Sequence, residues 1–148
     1  MILGCGLDLI EVGRFEQEMA GRGDGLIEEL FNAEELAWCR RRRRAAEGYA
    51  MAFAAKEALF KAIGTGKVGR MAWSDVEIAW PVGSVQPAMV LSGETGAVAE
   101  ALGVTGVHLA LATSREYGAA WAVVTGHGRP DAGVDGEPRI PSPESRRA

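Results

Sequence analysis

A chain of 148 residues, 47% of them hydrophobic, is long enough for one domain with a buried core. Its formal net charge of -4 argues against a general nucleic-acid-binding protein, because affinity for phosphates requires an excess of basic residues. It contains no run of about 18 apolar residues, so no membrane span is expected. Cys5 and Cys39 form neither a CxxC motif nor a disulfide framework, which favours a cytoplasmic location.

The first half of the chain predicts one strand followed by helices. The segment MILGCGLDLI predicts an opening strand, and a short helix is expected over residues 11–20, before the glycine-rich GRGDG. Asn32, with Glu35 three residues later, is typical of a capping box and predicts the start of the next helix. A long central helix is predicted from Ala45 to Ile63, with Gly64 ending it.

The second half predicts two strand pairs separated by a helix. The alternation in WSDVEIAW indicates a strand, and PAMVLSG is a second short strand. SGETGAVAEALG predicts a helix with Ser92 capping it and Gly103 closing it, and VHLALAT and YGAAWAVVTG predict two more strands. This order predicts an α+β fold with an antiparallel sheet packed against the long central helix. Residues 1–126 form the predicted domain, and the tail at 127–148, with its Pro, Gly and charged residues, is expected to be disordered.

The segment FAAKEALFKAI of the central helix carries three charges among apolar residues. Glu57 and Lys61 are four residues apart and therefore share one face, whereas Lys56 points about one step round the helix. One interpretation is a salt bridge on the helix surface. The alternative is a site, because nearly every other position from Tyr49 to Ile63 is apolar and little of this helix can face water.

Asp8 is the only charge in the opening strand. It can cap the following helix, or it can join Glu57 in holding Mg²⁺, which is usually bound by one or two carboxylates together with substrate phosphates. Lys61 would then neutralise a phosphate oxygen, and the turn at 64–67 would bring backbone N–H groups close to it. This turn is not a Walker A loop, since it follows a helix and lacks the first glycine of that motif.

The arginine run at 40–44 has two interpretations. It is either a solvated face, as most charge runs are, or a contact for phosphate or for an acidic partner. His108 and His127 are the two histidines of the chain, and nothing in the sequence supports a Ser-His-Asp triad.

Four segments together resemble the holo-acyl-carrier-protein synthase family of 4'-phosphopantetheinyl transferases, over roughly residues 1–126. They are GCGLDLIEVGRF, FAAKEALFKAIGTG, WSDVEI and HLALATSREYGAAWAVV. The resemblance implies the phosphopantetheinyl transferase-like fold and transfer of 4'-phosphopantetheine from coenzyme A to a serine of an apo acyl carrier protein. It also implies a requirement for Mg²⁺ and a homotrimer with active sites at the chain interfaces.

The resemblance further implies roles for individual residues. Asp8 and Glu57 would be metal ligands, and Glu57 and Lys61 would be catalytic, with Lys61 holding the pyrophosphate. Whether Glu57 takes the serine proton directly or through a water is left open. The residues assigned to the coenzyme are Lys56, Gly64, Gly66, Arg44 and Thr113, and those assigned to the carrier protein are Arg14 and Arg40.

The chain departs from the family pattern at three positions. Thr113 stands where the family usually has a histidine that helps to hold the 3'-phosphate of coenzyme A, so weaker coenzyme affinity is expected. Ala52 often corresponds to an arginine, and Phe60 to a small polar residue. An active transferase is the favoured interpretation. The alternatives are a family member that binds carrier protein without modifying it and, less favoured, a metal-dependent phosphohydrolase.

Overall fold

The computed structural model describes residues 1–81, 84 and 86–127, so the predicted tail lies outside the described residues except for His127. The elements, in chain order, are β1 (Ile2–Glu11), α1 (Val12–Arg22), α2 (Asp24–Leu30), α3 (Ala33–Arg40), α4 (Ala45–Ile63), a short 3-10 helix (Trp73–Asp75), β2 (Val76–Ala79), β3 (Ala88–Leu91), α5 (Gly93–Ala101), β4 (Val104–Thr113) and β5 (Tyr117–Gly126). Among the described residues, no helix has both the length and the apolar character that crossing a membrane requires.

Two antiparallel sheets accompany the helices. One has three strands in the order β1-β5-β4, and the other pairs β2 with β3. In the larger sheet Asp8 lies opposite Ala120, and Leu7 lies opposite Trp121. The long helix α4 packs against this sheet, chiefly against β1 and β5. The predicted α+β arrangement, an antiparallel sheet packed against a long central helix, is confirmed.

Glycines in β1 allow the strand to lie directly against α4. A Cβ atom at Gly4 would be 2.1 Å from the Ala62 carbonyl oxygen, and one at Gly6 would be 2.0 Å from the Ala58 carbonyl oxygen. No side chain other than hydrogen fits at either position. Because side chains alternate along a strand, Asp8 points to the same side as these two glycines, toward α4.

The aromatic part of the core lies on another side of α4. Phe53 stacks on Phe15 with ring centroids 5.2 Å apart, and Trp73 packs on Phe53 at 5.0 Å. Phe60 meets the edge of Trp73 at 5.4 Å. These contacts attach α1 and the segment after α4 to the central helix.

Two predicted helix boundaries are confirmed by their hydrogen bonds. Asn32 Oδ1 accepts from the Glu35 N–H at 2.9 Å, and Glu35 Oε2 accepts from the Asn32 N–H at 3.0 Å, which completes the capping box at the start of α3. Gly64 has φ 77° and ends α4 in the left-handed conformation that favours glycine.

The prediction that the first helix ends within GRGDG is confirmed, because α1 ends at Arg22 and Gly23, with φ 74°, follows it. The sequence did not predict α2, which begins at Asp24. The predicted cap at Ser92 is wrong. The Ser92 side chain makes no capping hydrogen bond to α5. Asp75 Oδ2 caps this helix instead, accepting from the Thr95 N–H at 3.2 Å and the Thr95 hydroxyl at 3.1 Å. Burial would raise the pKa of Asp75, but hydrogen bonds from Ala72 and Thr95 outweigh that effect and lower it.

Replacing Gly6 with alanine is expected to cost about 3 kcal/mol of unfolding free energy, because the new methyl group forces β1 away from α4. The measurement is urea unfolding of Gly6→Ala beside Gly13→Ala, in which the same change adds a Cβ that meets no atom within 4 Å. In the α1 helix that control should be stabilised by about 0.5–1 kcal/mol. Equal changes in unfolding free energy for the two variants would contradict the direct contact between β1 and α4.

Candidate active site

Asp8, Glu57 and Lys61 form a polar cluster where β1 meets α4. The Lys61 ammonium donates to Asp8 Oδ1 and, at 3.3 Å, to the Leu7 carbonyl oxygen. The Asp8 side chain is 12% exposed, whereas Lys61 is 51% exposed. The cluster therefore has a nearly buried carboxylate at its base and a lysine at its open edge.

The carboxylates of this cluster have an unused capacity for a cation. Asp8 Oδ2 is buried and has no hydrogen-bond partner in the part of the chain that the structure describes. Burial and the negative charge of Asp8 raise the pKa of Glu57, and Lys61 offsets this only in part. A buried acceptor without a donor is costly, and two neighbouring carboxylates repel each other, so a bound cation would relieve both effects.

The cluster fits Mg²⁺ better than a metal held entirely by protein. The described residues contain no group of three or more His, Cys, Asp or Glu placed to hold a metal ion. Mg²⁺ is commonly held by one or two carboxylates, with substrate phosphates and water completing its coordination. Asp8 and Glu57 would be the protein ligands in such a site.

Two of the four backbone N–H groups in the turn at 64–67 donate within the chain. The Gly64 N–H donates to the Lys61 carbonyl oxygen at 3.2 Å, and the Gly66 N–H donates to the Phe60 carbonyl oxygen at 3.3 Å. These two N–H groups are therefore already used within the chain. Gly64 and Gly66 both have positive φ, so what they provide is the shape of the turn.

The assignment of Lys56 to the coenzyme is wrong. Its side chain is fully buried, and its ammonium donates to Glu35 Oε2 at 2.8 Å and to the carbonyl oxygens of Leu30 and Trp73. All three protons are used inside the protein. Burial lowers the pKa of Lys56, and the negative charge of Glu35 counteracts this.

A cavity of about 570 Å³ brings together other residues that the sequence assigned to the coenzyme. We refer to this cavity below as the arginine cavity. It is lined by Arg43, Arg44, Glu47, Thr113, Ser114 and Arg115. Arg44 Nη1 donates to Glu47 Oε1 at 3.1 Å and to the Arg115 carbonyl oxygen at 3.3 Å. Arg44 and Thr113 were predicted, whereas Arg115 was missed although it stands in the predicted strand connection SREYG.

An aromatic groove of about 410 Å³ adjoins the arginine cavity, and Thr113 lines both. Trp38 and Trp80 stack in this groove with ring centroids 3.7 Å apart, and the Arg42 guanidinium lies 4.5 Å above the Trp38 ring. This pair was not predicted, because the two tryptophans belong to distant segments: Trp38 lies in α3 and Trp80 directly follows β2.

The two residues predicted to contact the carrier protein lie on different helices, and both are exposed. Arg14 is 77% exposed on α1, where its Nε donates to Glu18 at 3.0 Å, and it lines a groove that also includes Phe53 and Tyr117. Arg40 is exposed at the end of α3.

The departures from the family pattern occupy different environments. Ala52 and Phe60 are each 1% exposed and belong to the core, where Phe60 packs against Trp73. Thr113 is exposed and lines the arginine cavity.

Residues 4–117 match the family model of the 4'-phosphopantetheinyl transferase superfamily. The chain belongs to this superfamily. It is 44% identical over 126 residues to a holo-[acyl-carrier-protein] synthase of Desulforudis audaxviator, covering 85% of this chain and 95% of that protein. It is 37% identical over 124 residues to a protein of the same name from Koribacter versatilis, covering 84% and 98%.

Solved structures of the superfamily have the same fold as this transferase chain. The holo-[acyl-carrier-protein] synthase of Neisseria meningitidis superposes with a TM-score of 0.76 at 25% identity, covering 84% of this chain and 99% of that one. A holo-(acyl-carrier-protein) synthase of Bacillus anthracis, solved in complex with CoA (3',5'-ADP), gives a TM-score of 0.67 at 29% identity, covering 86% and 99%. The predicted family and fold are confirmed.

In the metal-free transferase, Asp8→Asn is expected to lower the pKa of Glu57, because the neighbouring negative charge is removed. Lys61→Met is expected to raise it, because a neighbouring positive charge is removed. NMR titration of the Glu57 carboxyl group with a chelator present measures both shifts. Asp75→Asn, at the remote α5 cap, is the matched control and should leave Glu57 unchanged. Shifts of the Glu57 pKa in the opposite directions would contradict the placement of Glu57 beside Asp8 and Lys61.

Proposed function

We propose that this protein transfers 4'-phosphopantetheine from coenzyme A to a serine of an apo acyl carrier protein, with Mg²⁺ held by Asp8 and Glu57. The observation that carries the proposal is the buried Asp8 oxygen without a donor, placed beside Glu57 and Lys61. Membership of the superfamily and the names of the relatives support the substrates.

The reaction forms one P–O bond and breaks another. The serine oxygen attacks the β-phosphorus of the coenzyme, the bond to adenosine 3',5'-bisphosphate breaks, and the serine proton passes to the Glu57 carboxylate. Lys61, fixed by Asp8 at the open edge of the cluster, stabilises the charge that develops on the leaving phosphate. Asp8 and Glu57 would hold Mg²⁺, which would supply charge neutralisation for the pyrophosphate oxygens. The protein thus mainly positions the reactants and offsets charge.

The nucleotide end of the coenzyme is assigned to the arginine cavity and the aromatic groove. Arg43, Arg44 and Arg115 supply guanidinium groups, whose planar donors match phosphate oxygens. The stacked Trp38 and Trp80 offer an aromatic surface for the adenine ring. Three arginines would then supply the charge that the histidine usual at the position of Thr113 would provide.

We assign the protein to a homotrimer with active sites at the chain interfaces. The sheet face opposite α4 exposes Leu7, Leu9 and Trp121 by 61%, 59% and 53%, and large exposed apolar patches often mark interfaces. Arg44 directly precedes α4 and is thirteen residues from Glu57, which corresponds to about 20 Å along the helix axis. A shared site would bring the arginine cavity of one chain close to the carboxylates of its neighbour.

The remaining assignments concern the carrier protein and the compartment. Arg14 and Arg40 are exposed cations that suit an acidic carrier protein. Cys5 and Cys39 are both free thiols, which supports a reducing cytoplasmic location.

Asp8→Asn and Glu57→Gln are each expected to lower phosphopantetheine transfer by at least about 100-fold, because a metal ligand or the proton acceptor is lost. Mass spectrometry of an apo carrier protein incubated with coenzyme A and Mg²⁺ measures the gain of phosphopantetheine. Glu100→Gln, which neutralises an exposed carboxylate on α5, serves as the matched control and should retain activity. Wild-type transfer that persists in EDTA would contradict the metal assignment.

Mixing two inactive variants tests the shared site. Glu57→Gln lacks the acceptor, and the double variant Arg44→Ala, Arg115→Ala lacks part of the arginine cavity. In trimers mixed at random from equal amounts of the two variants, a shared site has a one-half chance of an intact arginine cavity and a one-half chance of an intact Glu57 from the neighbouring chain. About a quarter of the sites are then complete, so about a quarter of wild-type activity should return. No recovery after verified subunit exchange would show that each site is built within one chain.

A further inference from the structure

We propose that the buried Lys56–Glu35 pair is a positioning element of the active site, which holds the segment at 64–72 beside Glu57 and Lys61 and thereby sets the affinity for coenzyme A. The inference rests on the proposed function, because it concerns the same site. Lys56 would act through the Trp73 carbonyl group and would not touch the coenzyme.

The Lys56 ammonium is completely satisfied by acceptors from three separate parts of the chain. It donates to the carbonyl oxygen of Leu30 at 2.7 Å, to Glu35 Oε2 at 2.8 Å and to the carbonyl oxygen of Trp73 at 3.1 Å. These acceptors lie at the end of α2, in the first turn of α3 and at the start of the 3-10 helix. One side chain of α4 therefore holds three other segments in place.

Glu35 extends the connection further. Its Oε2 also accepts from the Asn32 N–H at 3.0 Å, and its Oε1 accepts from the Ile78 N–H of β2 at 2.9 Å. Both carboxylate oxygens are thus used, and both side chains of the pair are fully buried. Two charges can remain in a core when every donor and acceptor is satisfied in this way.

Trp73 links the pair to the active site. The segment at 64–72 runs from the end of α4, close to Lys61, to Trp73, whose ring packs on Phe53 and Phe60. The spacing of Phe53, Glu57 and Phe60 places them on one face of α4. The Lys67 ammonium lies 5.6 Å above the Trp73 ring, which gives the segment a second attachment to the same residue. Fixing Trp73 therefore fixes the segment that borders the site.

Stability alone does not explain a charged pair at this position. Replacing a buried ion pair by apolar residues of similar volume is often neutral or stabilising, whereas removing one partner is strongly destabilising. The charged pair adds directional hydrogen bonds, and each of them sets the position of one backbone group relative to α4. The Trp73 carbonyl is the bonded group that leads directly into the segment beside the site.

The test uses the double variant Glu35→Gln, Lys56→Met, which removes both charges together and avoids an unpaired buried carboxylate. Removing groups that orient a binding site typically costs about 10- to 100-fold in affinity or activity, so the KM for coenzyme A should rise by about tenfold or more. The KM for the carrier protein should not change. Steady-state transfer assays with each substrate varied in turn give both constants.

Cys39→Ala is the matched control for loss of stability alone. Burial, together with the negative charge of Glu35, raises the pKa of Cys39 to about 12, so this neighbouring thiol is a neutral core group. Its truncation should lower the unfolding temperature without breaking the bond from Lys56 to Trp73, and the KM for coenzyme A should stay at the wild-type value. An unchanged KM in the double variant, or an equal rise in Cys39→Ala, would overturn the proposal.

Hydrogen exchange separates this proposal from the proposed function. The double variant should exchange amide hydrogens faster at residues 64–72 than Cys39→Ala does. If the wild-type protein transfers no phosphopantetheine, the proposed function fails, and the exchange pattern still tests the positioning. If amide hydrogens at residues 64–72 exchange at the same rate in the double variant and in Cys39→Ala, the positioning role of the Lys56–Glu35 pair is overturned, whatever the transfer activity.

Discussion

The direct contact between the backbone of β1 and α4 determines where the functional groups lie. Gly4 and Gly6 leave no room for side chains between the strand and the helix. Because side chains alternate between the two faces of a strand, Asp8, two residues after Gly6, also points toward α4. Without this contact Asp8 and Lys61 could not form their ion pair, and the carboxylate would lack its position beside Glu57.

The three charges in the second half of α4 have three different environments, which explains how an apolar helix segment carries them. Lys56 is turned into the core and neutralised by Glu35. Glu57, the next residue, is half-buried, and its pKa is raised by burial and by the charge of Asp8. Lys61 reaches the edge and pairs with Asp8. Since adjacent residues of a helix point about 100° apart, neighbours in sequence can belong to the core and to the site.

The sequence predicts well what depends on neighbouring residues. The capping box of Asn32 and Glu35 and the end of α4 at Gly64 both follow from local hydrogen bonding and backbone conformation, and both are confirmed. The grouping of Asp8 with Glu57 was also predicted from the sequence, since a lone charge in an apolar strand and a lone carboxylate in the apolar segment from Tyr49 to Ile63 each require a partner.

Predictions that depend on distant partners succeeded less often. Lys56 was assigned to the coenzyme because its acceptors Leu30, Glu35 and Trp73 are 17 to 26 residues away and none is visible from spacing. The stacked tryptophans and the place of Arg115 in the wall of the arginine cavity were missed for the same reason. In α5 the expected cap at Ser92 was replaced by Asp75, a competitor that only the tertiary structure brings close.

The difference between the two cysteines makes the chain suitable for site-selective labelling. Cys39 is buried, and its raised pKa keeps it in the unreactive thiol form at neutral pH. Cys5 is exposed on β1, within two residues of the exposed Leu7. A thiol-reactive fluorophore added to the native protein would therefore attach at Cys5, and its spectrum would report whether this apolar face is in contact with water or covered.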